Sequence, residues 1–465
     1  MFARVDGAIR DELVAIVGAA NVLWGSEALE PYAHDETPGL RSMPEVVVKA
    51  GSAAEVSRVL RLANERRIPV TPRSGGTGLS GGAVPTLGGI VLSLERMDRI
   101  LEIDRENLTV TAQPGVITGN LHRAVEQEGL FYPPDPASLD SCRLGGNIAE
   151  NAGGPRAVKY GVTKDYVCGL EAVLPSGEIV RMGGKLVKNV TGYSLIQLLI
   201  GSEGTLAVIT EITLRLLPLP PYRVDLLAQF AEFEPAIRSV SDIIARRIVP
   251  TTIEFMERDS VLASERLLGK QLPGRDAAAC LLIQLDGRRE EDTYADMELV
   301  GDACLENGAL DVLVARDRPT RDRLWEGRRV IIDALKHESP VSHMEDVVVP
   351  RAVIPRLVSG VHELAAEWRV RIVCFGHAGD GNVHVIALKD DLSDERWQEV
   401  VSVLQAEIYK LALSLGGTLT GEHGIGATRR AYLPLALDPV LIDLQRRLKA
   451  VFDPNGILNP GKVFP

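Results

Sequence analysis

The stretch that most limits what this chain can become is Pro72–Gly82, PRSGGTGLSGG, with five glycines in eleven residues directly behind the apolar Ile68–Val70. A backbone stripped of side chains lets its amides approach an anion closely. Ser74, Thr77 and Ser80 add hydroxyl donors, so a phosphate or pyrophosphate is the natural guest. Within it, GTGLSG matches the dinucleotide fingerprint GxGxxG, and Glu95 and Asp98 follow roughly 20 residues on. That fingerprint must open a helix. Here GAVPTLGG follows instead, with Pro85 and two more glycines, and then the strand-like IVLSL. The P-loop reading fails as well, because no GKS or GKT closes the loop. The expectation is a cofactor cradle set between two strands.

A chain of 465 residues exceeds a single hydrophobic core and predicts two to three domains. Its net charge of -12 and the absence of any Lys/Arg block argue against a nucleic-acid partner. No apolar run approaches the roughly 18 residues of a transmembrane segment. Asp6, Asp11 and Glu12 make the N-terminus unlike a targeting peptide. The expected location is the cytoplasm, with membrane association only through a partner. Cys142, Cys168, Cys280, Cys304 and Cys374 form no CxxC pair and read as reduced, buried thiols. An iron-sulfur relay would therefore have to reside on another chain.

In chain order, EVVVK at 45–49 reads as a buried strand, and Ser52 with Glu55 as a capping box opening a helix. IVLSL, ILEID and LTVTAQPG read as short strands, with a helix at about 119–128. A second cluster follows, PPDPAS at 133–138 and GGNIAENAGG at 145–154, suited to tight backbone approach and to asparagine amides facing a ring with several acceptors. Two such clusters suggest a long ligand. GLEAVLPSGEIVRMGG predicts a hairpin turned at Pro175–Gly177. YSLIQLLIGSEGTLAVITEITLRLLP predicts a helix, a glycine turn and a strand.

Together PRSGGTGLSGG, PPDPAS, GGNIAENAGG, KNVTGY and GSEGTLAVITEITLRLLP resemble the FAD-linked D-2-hydroxy-acid dehydrogenases, the group holding glycolate oxidase catalytic subunits, D-lactate dehydrogenases and D-2-hydroxyglutarate dehydrogenases. The resemblance covers nearly the whole chain. It implies an α+β protein with a bilobal FAD-binding domain of the vanillyl-alcohol-oxidase (PCMH) type and an antiparallel α+β substrate cap. The expected boundaries are 1–220 for the FAD domain, 221–415 for the cap, and 416–465 for a C-terminal segment packing on the FAD domain; the prolines of LRLLPLPPY mark the first boundary. The cofactor contacts it implies are Arg73, Ser74, Gly75, Gly76, Thr77, Gly78 and Ser80 in the first loop. Ser138, Gly145, Gly146, Asn151, Gly153 and Gly154 follow in the second, with Glu203, Ile209 and Asn459 later. No histidine lies in 68–82, so the FAD is expected to be non-covalent.

The chemistry concentrates in RIVCFGHAGDGNVHVIALKD, where two apolar runs flank Asp380-Gly381. A two-residue turn there sets His377 opposite His384, near enough to share one metal ion. GEHGIG adds Glu422 and His423, neighbours whose side chains diverge, so that one ligates while the other addresses a substrate. The resemblance assigns His377, His384 and Glu422 as metal ligands, zinc first with manganese and iron as alternatives, and His423 as the catalytic base. It assigns Arg328 to the substrate carboxylate, with Arg329 competing.

The expected activity is FAD-dependent oxidation of a D-2-hydroxy acid to the 2-oxo acid. The hydroxyglutarate-type relatives carry a polar Asn and a Lys near the positions of Val385, Ile386 and Met344, so lactate or glycolate is favoured and D-2-hydroxyglutarate is the alternative. The expected acceptor is a quinone, an electron-transfer flavoprotein or an iron-sulfur partner subunit, and a homodimer is compatible with the sequence. A metal-dependent hydrolase and a non-catalytic flavin subunit are the competing readings.

Overall fold

The β-branched run Val46–Lys49 is the second strand of a four-stranded sheet in the computed structural model, which describes residues 2–465. Across the sheet the order is Val22–Leu23, Val46–Lys49, Ile90–Ser93 and Val70–Arg73. The last three are parallel, and Ile90–Ser93 lies between the two strands that the helix Ala53–Arg66 connects. Burial on both faces explains the apolar runs Val46–Val48 and Ile90–Leu92. The helix follows from its spacing: Val56, Val59, Leu60 and Ala63 are fully buried against Val48, Val70 and Leu92. Each valine or leucine among them contributes roughly 1.5–3 kcal/mol.

Ser52 caps this helix as expected, accepting the Glu55 amide at 3.2 Å. The Glu55 carboxylate returns to the Gly51 amide at 2.8 Å rather than to that of Ser52. Ser52→Ala is expected to lower stability by about 1 kcal/mol, read as a lower urea midpoint.

The glycine-rich stretch leads from the strand Val70–Arg73 through loop into Ile90–Ser93, and no helix follows it. The same unit holds an antiparallel five-stranded sheet ordered Ile100–Asp104, Thr109–Ala112, Val208–Arg215, Val167–Val173, Ile179–Gly183. Its last two strands are the hairpin expected around Pro175–Gly177, with Val173 opposite Ile179. The C-terminal segment joins the first sheet at Val70, which pairs with Leu458.

A second unit is built on a seven-stranded antiparallel sheet. Its order is Ala309–Ala315, Tyr222–Phe230, Ala279–Gly287, Thr252–Glu257, Arg371–His377, Asn382–Leu388, Ser342–Val348. Its membership differs from the expected 221–415. The first unit comprises the residues up to Gly153, Val162–Leu219 and Glu422–Pro465; the second comprises Gly154–Gly161 and Pro220–Gly421. Two sets of bonds account for the difference. Lys159 Nζ and the Tyr160 hydroxyl donate to the buried Asp286 carboxylate at 2.5 and 2.9 Å, tying 154–161 to the second unit. Thr418 pairs with Val348, and Thr420 and Gly421 donate to Asp346, which carries the second unit through Gly421.

Candidate active site

In the first unit, the loop is shaped from beneath by Arg73. Its guanidinium donates to the carbonyls of His34 and Pro31 at 2.7 and 3.2 Å and sits under Gly76, where a Cβ would lie 2.1 Å from Nη2. Gly76 also has φ 71°, so both space and backbone demand glycine. Burial lowers the pKa of Arg73, partly offset by Asp35, Tyr32 and Glu95. Ser74 Oγ donates to Pro114 O at 2.7 Å, and a Cβ on Gly145 would lie 2.7 Å from Pro114 Cβ, so the two glycine clusters converge on one proline. Ser80 is fully buried, and its carbonyl accepts the Ala427 amide.

The amides of Gly75, Gly76, Thr77 and Gly78 find no acceptor among the described residues, although the segment is half-buried. Buried amides normally have partners. A short row of such donors beside the Thr77 hydroxyl suits an anionic pyrophosphate, so the residues fit FAD.

The other expected cofactor residues divide into two kinds. Ser138 is a half-buried turn residue whose carbonyl takes the Ser141 and Cys142 amides, and Gly146 has open space where a Cβ would stand. Asn151, at φ 57°, ends the helix Leu144–Glu150 and accepts the Lys164 amide at 2.9 Å. Ile209 is buried on its strand opposite Ala172, and Gly154 opens the second unit's insertion.

Glu203 and Asn459 are internal staples. Glu203 is buried at φ 52°, and its carboxylate accepts the amides of Ile425 and Gly426 at 2.8 and 2.6 Å. Asn459 Nδ2 donates to Gly82 O and Glu203 O at 2.9 and 2.8 Å. These bonds anchor the segment after Glu422 to the cofactor loop.

The glycines of GEHGIG permit that anchoring. A Cβ at Gly424 would lie 2.3 Å from Glu150 Oε2, and one at Gly426 would lie 2.1 Å from Ser80 O. Glu422 is equally close to the second cluster: a Cβ on Gly153 would lie 3.0 Å from its Oε2. Glu422 and His423 are thus held beside both glycine clusters. Glu150, which the sequence reading did not single out, has a carboxyl held well above the usual range by burial, reinforced by Glu203 and Asp35.

In the second unit, the turn register departs from the expected one. His377 pairs with Asn382, and Phe375 pairs with His384, so Ala378–Gly381 form a four-residue loop rather than a two-residue turn at Asp380-Gly381. The amides of Asp380 and Gly381 return to His377 O, and the Asn382 amide donates to Asp380 Oδ1 at 3.2 Å. A Cβ on Gly381 would lie 2.0 Å from Val349 O, and Gly379 packs on Val158, so neighbouring backbone and side chains fix the longer loop. The histidines remain on one face as diagonal neighbours. Their ring centroids are 5.2 Å apart at 84°.

Two carboxylates that the sequence reading missed organise this face. Glu254 is fully buried. Its Oε1 lies 2.6 Å from His377 Nδ1, while Oε2 accepts Arg328 Nε and Nη2 at 2.9 and 2.7 Å. Burial alone would raise the Glu254 carboxyl, but the charges and hydrogen bonds of His377 and Arg328 outweigh it and hold it at about 2. With an ion on Nε2, an ionised Glu254 would hold the one remaining His377 proton on Nδ1, the arrangement of a metal-ligating histidine.

Asp346 stands opposite His384 in register, its Oδ1 3.8 Å from His384 Nδ1, and accepts bonds from Asn382, Thr420 and Gly421. Two imidazoles with carboxylates nearby are a donor set that fits a catalytic divalent ion. Glu422 follows Gly421 directly in the chain.

Arg328 is 13% exposed and lies over the Phe375 ring at 4.8 Å, whereas Arg329 is 59% exposed and lies 3.7 Å from Asp322 on the surface. The signal for Glu254 and Asp346 was present in the sequence, since each is a carboxylate inside an apolar strand, TIEFME and SHMEDVV.

Residues 44–183 match the family model described as FAD binding domain, and residues 219–463 match FAD linked oxidases, C-terminal domain. The chain is 44% identical to the glycolate oxidase subunit GlcD of Bacillus subtilis, covering 98% of this chain and 96% of that one. It is 41% identical to a D-lactate dehydrogenase of Anaerostipes hadrus, with 96% and 95% covered. It is 33% identical to a D-2-hydroxyglutarate dehydrogenase of Stutzerimonas stutzeri, with 99% of each covered. Among solved structures, p-cresol methylhydroxylase with substrate bound aligns at TM-score 0.81 and 18% identity over 99% and 98% of the two chains. The 4-ethylphenol oxidase of Gulosibacter chungangensis aligns at TM-score 0.80 and 20% identity, with 99% of each covered. These likenesses confirm the α+β fold of the PCMH type expected from the motifs. The chain belongs to the FAD-linked oxidases and is an oxidoreductase of that family.

Proposed function

We propose that this chain oxidises a small D-2-hydroxy acid, lactate or glycolate before D-2-hydroxyglutarate, to the corresponding 2-oxo acid. The relatives named for glycolate, D-lactate and D-2-hydroxyglutarate support the substrate class. The observation that carries the reading is Glu254, which holds a candidate metal ligand, His377, and a candidate carboxylate anchor, Arg328, together. Ile386 and Met344 face each other across the strands, and these apolar side chains, at positions where the resemblance implies polar residues for a second substrate carboxylate, support the smaller acids.

When bound, FAD supplies the hydride acceptor and a divalent ion, zinc first and manganese or iron as alternatives, polarises the substrate hydroxyl. His377, His384 and Glu422 would hold that ion, with Asp346 orienting His384. His423 would take the hydroxyl proton near neutral pH. The guanidinium of Arg328, held in orientation by Glu254, would receive the substrate carboxylate. Gly75, Gly76, Thr77 and Gly78 would hold the cofactor pyrophosphate, and the remaining loop residues would shape the cradle. Electrons would then leave to a quinone, an electron-transfer flavoprotein or an iron-sulfur partner subunit. The two relatives named as glycolate oxidase subunits support a partner subunit. No described helix is long and apolar enough to cross a membrane.

The deciding experiment is anaerobic bleaching of the visible flavin absorbance with D- and L-lactate, glycolate and D-2-hydroxyglutarate, before and after chelation and metal add-back. Bleaching by one acid, lost with chelator and restored by metal, is the expected result. A flavin untouched by every acid would overturn the proposal in favour of a non-catalytic flavin subunit, and a protein that binds no flavin would favour the hydrolase. Gly76→Ala tests the cradle separately. The Cβ would both collide with Arg73 and adopt a left-handed backbone, at about 1–2 kcal/mol, so FAD retention is expected to weaken roughly 5- to 30-fold in equilibrium dialysis.

A further inference from the structure

Strand alternation gives the pair Thr252–Glu257 and Arg371–His377 two chemically distinct faces. Glu254 and His377 occupy one; Glu257 and Cys374 occupy the other, where the Cys374 amide donates to Glu257 Oε2 at 2.9 Å. The helix Ile354–Trp368 brings His362 to this second face, with Nε2 2.7 Å from Glu257 Oε1. One ligand atom from each of the three residues lies within 4.8 Å of the others. The three are graded in depth: His362 is exposed, Glu257 half-buried and Cys374 buried. Solvent reaches the imidazole, and the sulfur forms the floor.

Two features distinguish this group from an ordinary ion pair. It combines nitrogen, oxygen and sulfur donors, the set that borderline divalent ions prefer. The Cys374 Sγ makes no hydrogen bond among the described residues. Burial, reinforced by the facing Glu257 charge, pushes the thiol well up, so a bare thiolate is disfavoured there until a cation balances it.

We propose that Glu257, His362 and Cys374 form a second divalent-cation site with the ligand chemistry of zinc, on the opposite sheet face from Glu254 and His377. Zinc bonds of about 2.0–2.3 Å need ligand atoms closer together than 4.8 Å, and the exposed His362 has freedom to adjust. The Cys374 thiol loses its proton as the S–Zn bond forms, a protonated His362 imidazole loses one as its nitrogen binds, both protons pass to solvent, and no electron moves. A water completes four-coordination. The bound ion clips the helix Ile354–Trp368 to the two strands that carry Glu254 and His377.

The site is tested on the FAD-loaded full chain, stripped of metal and titrated with zinc, in a His384→Ala background that removes a ligand of the proposed catalytic ion. One zinc per chain is expected to remain bound, with a sulfur neighbour in zinc-edge X-ray absorption and at least one proton released per ion, the thiol's. Cys374→Ser should abolish the sulfur signal, and His362→Ala, a change at an exposed side chain, should weaken binding by about tenfold or more. Wild-type protein should likewise lose one zinc on Cys374→Ser, which keeps the test open if the His384 variant does not fold. No zinc retained in His384→Ala, or zinc with only nitrogen and oxygen neighbours while Cys374 is intact, overturns the site. Failure here leaves the flavin-bleaching result untouched.

Discussion

Reduction of the bound flavin by its best 2-hydroxy acid is expected to slow roughly 10²- to 10⁴-fold in His423→Ala, the range that a positioned general base contributes. The expectation rests on how His423 is held. Glu203 takes the amides of Ile425 and Gly426, and Ser80 O takes that of Ala427, so the residues after His423 are fixed to the cofactor loop. None of these bonds involves the imidazole, so truncating it leaves the anchoring intact. FAD content should therefore stay at the wild-type level while the single-turnover rate falls. A rate within about twofold of wild type in anaerobic stopped flow, with full FAD content, would reject His423 as the base. Loss of FAD together with rate would instead identify a structural role.

The parts of this molecule that were legible in its sequence share a local cause. The capping-box helix, the buried parallel strands and the hairpin at Pro175–Gly177 follow from spacing and turn chemistry within a few residues. That the glycine loop runs into a strand and opens no helix was legible because Pro85 and its neighbours forbid a helix there. The His377–His384 register was not, because Gly381 is pressed against Val349 O, a constraint from the segment just after the strand Ser342–Val348, some way off in sequence. A turn rule that reads only Asp-Gly chooses the shorter loop.

Residues 154–161 escaped for the same reason, since Asp286, which claims Lys159 and Tyr160, lies 127 and 126 positions on. Arg328 was singled out by family resemblance alone, and its partner Glu254 was hidden by 74 residues of separation. Periodicity predicts which face a side chain takes. It does not predict which distant side chain waits there.

Glu254 is accordingly where the second large effect is expected. Glu254→Gln keeps the volume but removes the charge that fixes the His377 proton on Nδ1 and balances Arg328. The amide has no preference for the tautomer that presents Nε2 as a lone pair, and loss of such an outer partner typically costs 10- to 100-fold in metal affinity. Metal titration of the FAD-loaded, chelator-stripped protein should show a loss of about that size. KM for the 2-hydroxy acid should rise as well, because Arg328 loses its orientation.

Glu254→Ala is expected to be worse, since it leaves the Arg328 guanidinium largely buried beside Phe375 without a counter-charge, at about 3–5 kcal/mol of stability. The Gln variant is therefore the informative one. Wild-type metal affinity and KM in a folded Glu254→Gln protein would mean that Glu254 merely fills its site. A metal-affinity loss matched by that of His377→Ala, with the double variant no worse than the His377 single, would show that Glu254 acts through that histidine.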